Sequence, residues 1–118
     1  IRNNYGIELP YTVKLGRRVV IEHQGAIVIH GNSEIGDDCI LRQGVTLGNR
    51  RLKEHTLAPV LGKHVNVGAG AKILGRVVIG DHAGIGANSV VLEDVPAGRV
   101  VIGVPAKLIP KHGEPPLE

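Results

Sequence analysis

Aliphatic residues recur along this chain at every sixth position. They fall at Leu9, Leu15, Ile21 and Ile27, then at Ile35, Leu41 and Leu47, then at Leu61, Val67, Ile73, Ile79, Ile85 and Val91. Two breaks interrupt the step: two extra residues between Ile27 and Ile35, and eight between Leu47 and Leu61. Four residues after most of these aliphatics stands a second small or branched residue: Val13, Val19, Cys39, Val45, Val65, Ala71, Val77, Ala83, Ser89 and Val95. A period of six fits neither an amphipathic helix at 3.6 nor a plain two-residue alternation. It predicts short strands joined by tight corners, with the leading aliphatic pointing inward each time. Three such strands close a triangular coil of about 18 residues, and successive coils stack at about 4.8 Å, the spacing of hydrogen-bonded strands. Glycine follows the leading aliphatic at Gly16, Gly36, Gly48, Gly62, Gly68, Gly80 and Gly86, where it relieves the corners. A small β-sandwich is the competing architecture, and thirteen units in phase argue against it. The expected fold class is therefore all-β, a parallel β-helix.

Composition sharpens this picture. The chain of 118 residues has no Phe, Trp or Met and only two tyrosines, Tyr5 and Tyr11. A core of Val, Ile, Leu and Ala alone must be narrow and regular, because nothing large is present to fill irregular gaps. One domain over residues 1–118 is expected, with an inserted loop at about 48–60 and a C-terminal tail at about 104–118. The single cysteine, Cys39, makes neither an internal disulfide nor a multi-cysteine zinc site, which suits a reducing compartment such as the cytoplasm. No apolar run approaches the roughly 20 residues of a membrane span, and no signal peptide is visible. The sequence opens at Ile1 without a methionine, which leaves room for an upstream segment. Net charge is +3, with basic residues scattered and not interleaved with aromatics. That distribution makes nucleic acid a poor partner and is compatible with an anionic small molecule.

The candidate chemistry begins at His23. It is the third residue of its hexad, near a corner, and so points outward. An outward imidazole is ordinarily a solvated or packing residue. Its neighbours change the reading: Glu22 is adjacent, and Glu8 lies fifteen residues earlier, so that stacking brings it near the same edge. A carboxylate on one ring nitrogen fixes the tautomer and leaves the other nitrogen free to accept a proton. Such a pair suits activation of a hydroxyl, where a positioned general base contributes roughly 10²–10⁴ in rate.

The segments "VVIEHQGAIV", "ILRQGVTLGN", "VNVGAGAKILG", "IGANSVVLEDVPAG" and "GVPAKLI", in this order, resemble the hexapeptide-repeat acyltransferases, and within them the serine acetyltransferases. The resemblance runs from about Gly6 to Ile109. It implies a left-handed β-helix and a homotrimer with sites in the clefts between prisms, the loop "GNRRLKEHTLAP" reaching across. It implies acetyl-CoA as co-substrate, His23 as the base and Glu8 as its orienting acid, with Glu22 the weaker candidate. Both acids are Glu where the family has Asp. Because the thioester is already activated, no metal and no covalent intermediate is called for. Ala69 and Ala87 lie one coil apart and should stack; with Asn49, Pro105 and Lys107 they match the CoA-binding edge, and Lys72 or Lys107 is placed to meet the CoA phosphates. Close coil packing explains each small residue equally well when it is taken singly. The acceptor side departs from the family. The serine enzymes carry an Arg-His pair just before a proline in the loop, where this chain has Leu57 and Ala58 before Pro59. Arg50, Arg51 or His55 are the substitutes at hand, and His30 is a candidate to face the acceptor pocket. On these grounds a sugar hydroxyl, on a nucleotide sugar or surface-polysaccharide precursor, is the preferred acceptor, and L-serine the alternative.

Two readings from other classes compete. His64 and His82 are 18 residues apart and should stack on one face, which invites a metal site. A β-helix of the carbonic anhydrase type places two zinc-binding histidines at a His-x4-His spacing that this chain lacks, so no metal ligand is assigned. The other rival is a non-catalytic scaffold. His112, in the tail, is expected to be solvated.

Overall fold

The computed structural model describes residues 7–8, 12–22, 27–50 and 57–110. There the sixfold pattern becomes a ladder of very short strands and no helix. They are β1 (Ile7–Glu8), β2 (Lys14–Leu15), β3 (Val20–Ile21), β4 (Ile27–Ile29), β5 (Glu34–Ile35), β6 (Ile40–Leu41), β7 (Thr46–Gly48) and β8 (Val60–Leu61). They continue with β9 (Asn66–Val67), β10 (Lys72–Leu74), β11 (Val78–Ile79), β12 (Gly84–Ile85), β13 (Val90–Val91), β14 (Val100–Gly103) and β15 (Ala106–Leu108). From β1 to β13 every third strand pairs, in parallel, with the strand one coil away, and β12 pairs with β14 in the same way. This gives three faces: β1-β4-β7-β10-β13, β2-β5-β8-β11, and β3-β6-β9-β12-β14. The chain is a left-handed parallel β-helix of triangular cross-section. β15 departs from the pattern: it turns back and adds to β14 in antiparallel register, with Gly103 opposite Ala106 and Ile102 opposite Lys107.

Register shows where the repeat stretches. The unperturbed coil pairs Val60 with Val78, Asn66 with Gly84 and Lys72 with Val90, a step of 18 in each case. The eight-residue insertion lies where the sequence places it: Leu47 pairs with Ile29, whereas the next inward residue, Leu61, pairs with Ile35. The two-residue expansion lies elsewhere. Val20 pairs with Ile40, but Val28 already pairs with Thr46, so the extra residues precede β4 rather than follow Ile27. Ile29, not Ile27, leads the hexad that continues at Ile35. Both side chains are buried, because residues two apart on a strand share a face, and the pattern alone does not say which of them leads. His30 therefore sits at an ordinary corner, and the two extra residues fall between Ile21 and Val28. The final coil is two residues short: Ile73 pairs with Val91, yet Ile79 bridges to Val95 and Ile85 pairs with Val101.

The core is a single aliphatic column. Ile27, Leu41, Leu47, Val67, Ile73 and Ile79 are fully buried, and the secondary positions Cys39, Val45, Val65 and Ala71 close the corners beneath them. Full burial of each Val, Leu or Ile is worth roughly 1.5–3 kcal/mol. Corners tighten through left-handed residues. Along one edge Arg18, Asp38, His64 and His82 all have φ between 54° and 63°. Asp and His tolerate this region better than most residues. Each coil also hangs on the one before, since the Asp38, His64 and His82 N–H groups donate to the carbonyls of Arg17, Asp37 and Lys63 at 2.8–2.9 Å. Among the described residues no helix is long and apolar enough to cross a membrane.

Candidate active site

The edge leading into the face of β1, β4, β7, β10 and β13 gathers the proposed donor residues. Glu22 follows β3, is exposed, and donates its backbone N–H to the Leu41 carbonyl at 3.0 Å. His23 follows it, outside the described residues. Glu8 lies on β1, its backbone paired with Val28 one coil away. Farther along the same edge come Ala69 and Ala87, linked through the Asn88 N–H, which donates to the Ala69 carbonyl at 2.9 Å. Their stacking requires Gly68: a Cβ there would fall 2.6 Å from the Ala87 nitrogen and 2.9 Å from its Cα. Lys72 stands exposed on the adjoining β10, with Nζ 3.5 Å from the Gly70 carbonyl. Pro105 ends the edge in the turn between β14 and β15, and Lys107 lies on β15.

The opposite edge of that face carries the acceptor candidates. The His30 N–H donates to the Leu47 carbonyl at 2.7 Å, and its Nδ1 accepts the Asn32 N–H at 3.0 Å. The neutral ring therefore carries its proton on Nε2. Asn49 follows β7, so the width of the face separates it from Ala69 rather than placing the two together. Arg50 lies against Gly75, its Cβ 3.3 Å from where a Gly75 Cβ would stand. From there it reaches the base of the prism, where Arg50, Pro105 and Lys107 line one cavity of about 680 Å³ over a floor that includes Val91, Val95, Val101 and Leu108. The structure thus brings Arg50 to the donor candidates Pro105 and Lys107. Arg51 and His55 lie outside the described residues. The returning end of the inserted loop is tied down by Arg76, whose Nη1 donates to the Ala58 carbonyl at 3.4 Å and whose Nη2 lies 3.8 Å from Glu34.

The third edge holds the remaining charged cluster. Arg18 grips Asp38 through two hydrogen bonds, Nε to Oδ1 at 2.6 Å and Nη2 to Oδ2 at 2.9 Å. That guanidinium holds the Asp38 carboxyl below its ordinary range, and Asp38 in turn raises Arg18. His64 Nε2 is 3.7 Å from the same carboxylate. His64 and His82 stack as the spacing predicts, with ring centroids 4.7 Å apart and planes 6° from parallel. Parallel rings direct their nitrogens side by side rather than toward one point, and among the described residues no three His, Cys, Asp or Glu side chains group to hold a metal. Cys39 is buried, donates to the Gly62 carbonyl at 3.0 Å, and has its thiol pushed up by burial. The repeat placed Ser89 at a small corner position without a role for its hydroxyl, and it passed over Ser33; both are buried. Their signal was a serine in the corner position that other coils fill with aliphatics.

Comparison with known proteins agrees with this geometry. Residues 58–93 match the family model "Bacterial transferase hexapeptide (six repeats)". The serine acetyltransferase of Helicobacter pylori strain J99 is 46% identical over 106 residues, covering 90% of this chain and 62% of the relative. That of Synechococcus elongatus is 42% identical over 108 residues, covering 92% of this chain and 44% of the relative. The chain thus spans less than two thirds of the length of these relatives. Among solved structures, the serine acetyltransferase of Neisseria gonorrhoeae superposes with a TM-score of 0.83 at 36% identity, over 89% of this chain and 41% of that one. The Brucella abortus serine acetyltransferase in complex with coenzyme A superposes with a TM-score of 0.78 at 36% identity, over 83% of this chain and 39% of that one. Repeat, coil geometry and relatives agree: residues 58–93 carry the bacterial hexapeptide-transferase repeat, and most of the chain is similar in sequence and fold to serine acetyltransferases.

Proposed function

We propose that this chain is the β-helical acyltransferase portion of an acetyl-CoA-dependent serine O-acetyltransferase. The observation that carries the proposal is the 46% identity to a serine acetyltransferase across 90% of the chain. It also favours L-serine over the sugar hydroxyl that the missing Arg-His pair suggested; a loop that differs at two positions weighs less than likeness over the whole scaffold. In this reading His23 takes the proton from the serine hydroxyl, and Glu8 orients the imidazole. The hydroxyl oxygen bonds to the thioester carbonyl carbon. The carbon–sulfur bond then breaks, and the departing CoA sulfur takes up the proton from the imidazolium. Backbone N–H groups along the edge stabilise the oxyanion. Ala69, Ala87, Lys72, Pro105 and Lys107 receive CoA. Arg50, Arg51, His55 and His30 are the acceptor candidates, Asn49 lies near the loop, and Glu22 is the reserve acid. The family resemblance supports a cytoplasmic homotrimer with sites in its clefts.

The test is acetyl transfer from acetyl-CoA to L-serine beside free and nucleotide-linked sugars. L-Serine is the expected acceptor, and His23→Ala lowers its rate by about 10²–10⁴. Acetylation of sugars alone refutes the acceptor. A folded His23→Ala chain with undiminished rate refutes the catalytic assignment and favours a scaffold.

A further inference from the structure

Ser89 stands in the corner position four residues past Ile85, where other coils place Val45, Val65, Val77 and Val95, and it is 1% exposed. Ser33 fills the same position without a partner for its hydroxyl, so what sets Ser89 apart is the bond its hydroxyl makes. Its hydroxyl makes one specific bond, in which Oγ accepts the Gly103 N–H at 3.1 Å. Gly103, at φ 103°, opens the turn that folds β15 back onto β14. The hairpin sits directly on the turn 86–89, because Gly86 has no Cβ and Ile102 Cγ2 occupies that space. The tip of the hairpin is exposed, Val104 by 72%, whereas Val101 is buried and Ala106 and Leu108 pack partly against the core. Its far end is held by the Ile109 N–H, which donates to the Val100 carbonyl at 2.8 Å. At its near end the buried Ser89 hydroxyl is the clasp. The corner it closes carries Ala87, and the turn it holds carries Pro105 and leads to Lys107.

We infer that Ser89 is a positioning residue for the acyl-CoA donor, its hydroxyl fixing the Gly103–Pro105 turn so that Pro105 and Lys107 stand in register with Ala87. This rests on the acyltransferase reading above. The residue touches no substrate; it acts through the backbone of the hairpin. Ser89→Thr and Ser89→Val separate hydroxyl from shape, since the two replacements are nearly isosteric and the site already holds valine in other coils.

Initial rates measured against acetyl-CoA and against acceptor, together with calorimetric binding of CoA, read the effect. Ser89→Val raises the KM for acetyl-CoA and the Kd for CoA on the order of three- to tenfold, the scale of one hydrogen bond. Its kcat and acceptor KM change less than about twofold, while Ser89→Thr keeps donor affinity within about twofold of wild type. Amide exchange at Gly103, faster in Ser89→Val alone, reports the clasp without any ligand. If wild type binds CoA and the Val and Thr variants bind it alike, the inference is overturned while the donor reading survives. A Ser89→Val loss spread evenly over kcat and both KM values also overturns it. Wild-type protein that binds no CoA overturns the donor reading and the inference together.

Discussion

Two serines buried in the same structural position predict stability changes of opposite sign. Ser33 is 0% exposed, and its hydroxyl has no hydrogen-bond partner. In its column it lies between Val13 and the buried Pro59, as the pairing of Lys14 with Glu34 and of Glu34 with Val60 requires. An unmatched buried hydroxyl costs about 1–3 kcal/mol. Ser33→Ala removes that cost and leaves a gap of one oxygen atom. The backbone bonds persist, since the Ser33 N–H donates to the His30 carbonyl and its own carbonyl accepts from Lys14. The expected result is a gain of about 1 kcal/mol. With a urea slope of about 1–3 kcal/mol per molar, the unfolding midpoint rises by roughly 0.3–1 M. Ser89→Ala removes an acceptor that Gly103 uses and lowers the midpoint by a similar amount. Both variants are compared with wild type at one protein concentration, because assembly shifts apparent stability. A Ser33→Ala midpoint below that of wild type refutes the reasoning, since it means that the hydroxyl is engaged.

Gly68→Ala drives a methyl into the Ala87 backbone at 2.6 Å. It should cost about 1–3 kcal/mol in thermal unfolding and weaken CoA binding at the same edge. The depressed Asp38 carboxyl stabilises the fold above the ordinary carboxylate range near pH 4, and this contribution is lost as pH falls through the lowered value. Asp38→Asn should therefore lie below wild type at neutral pH and converge with it in acid, in paired unfolding curves. Cys39, with its thiol raised by burial, should react with iodoacetamide far more slowly in the native chain than in urea, a difference that mass spectrometry reads directly.

Much of the scaffold was legible because a β-helix repeats one decision many times. Every in-phase aliphatic from Ile35 to Val91 is buried, and the eight-residue insertion lies where the count broke. The fold was harder to read where two solutions share a pattern. Ile27 and Ile29 both suit the interior, so the widened corner was displaced by one strand. The antiparallel return of β15 was illegible because six-residue periodicity speaks only to parallel coils. At the site, Ala69 with Ala87 and His64 with His82 followed from one-coil spacing. Arg50 did not, since its approach to Pro105 and Lys107 depends on a long side chain crossing a glycine that presents no obstacle. The acceptor was hard to read because one loop dipeptide, Leu57-Ala58, points away from serine while the likeness of the rest of the chain favours it.

The coil closes again after Gly48 as though nothing had intervened, with Val60 seated on Glu34 and Val78 on Val60. The ladder register below is unchanged, and the insertion touches those layers at its two ends, where Arg50 rests on Gly75 and the Ala58 carbonyl accepts from Arg76. Length added between Arg50 and Leu57 costs the stacked coils little, because closure entropy grows slowly with loop length. Loop length and the packing of the aliphatic column are thus open to selection separately.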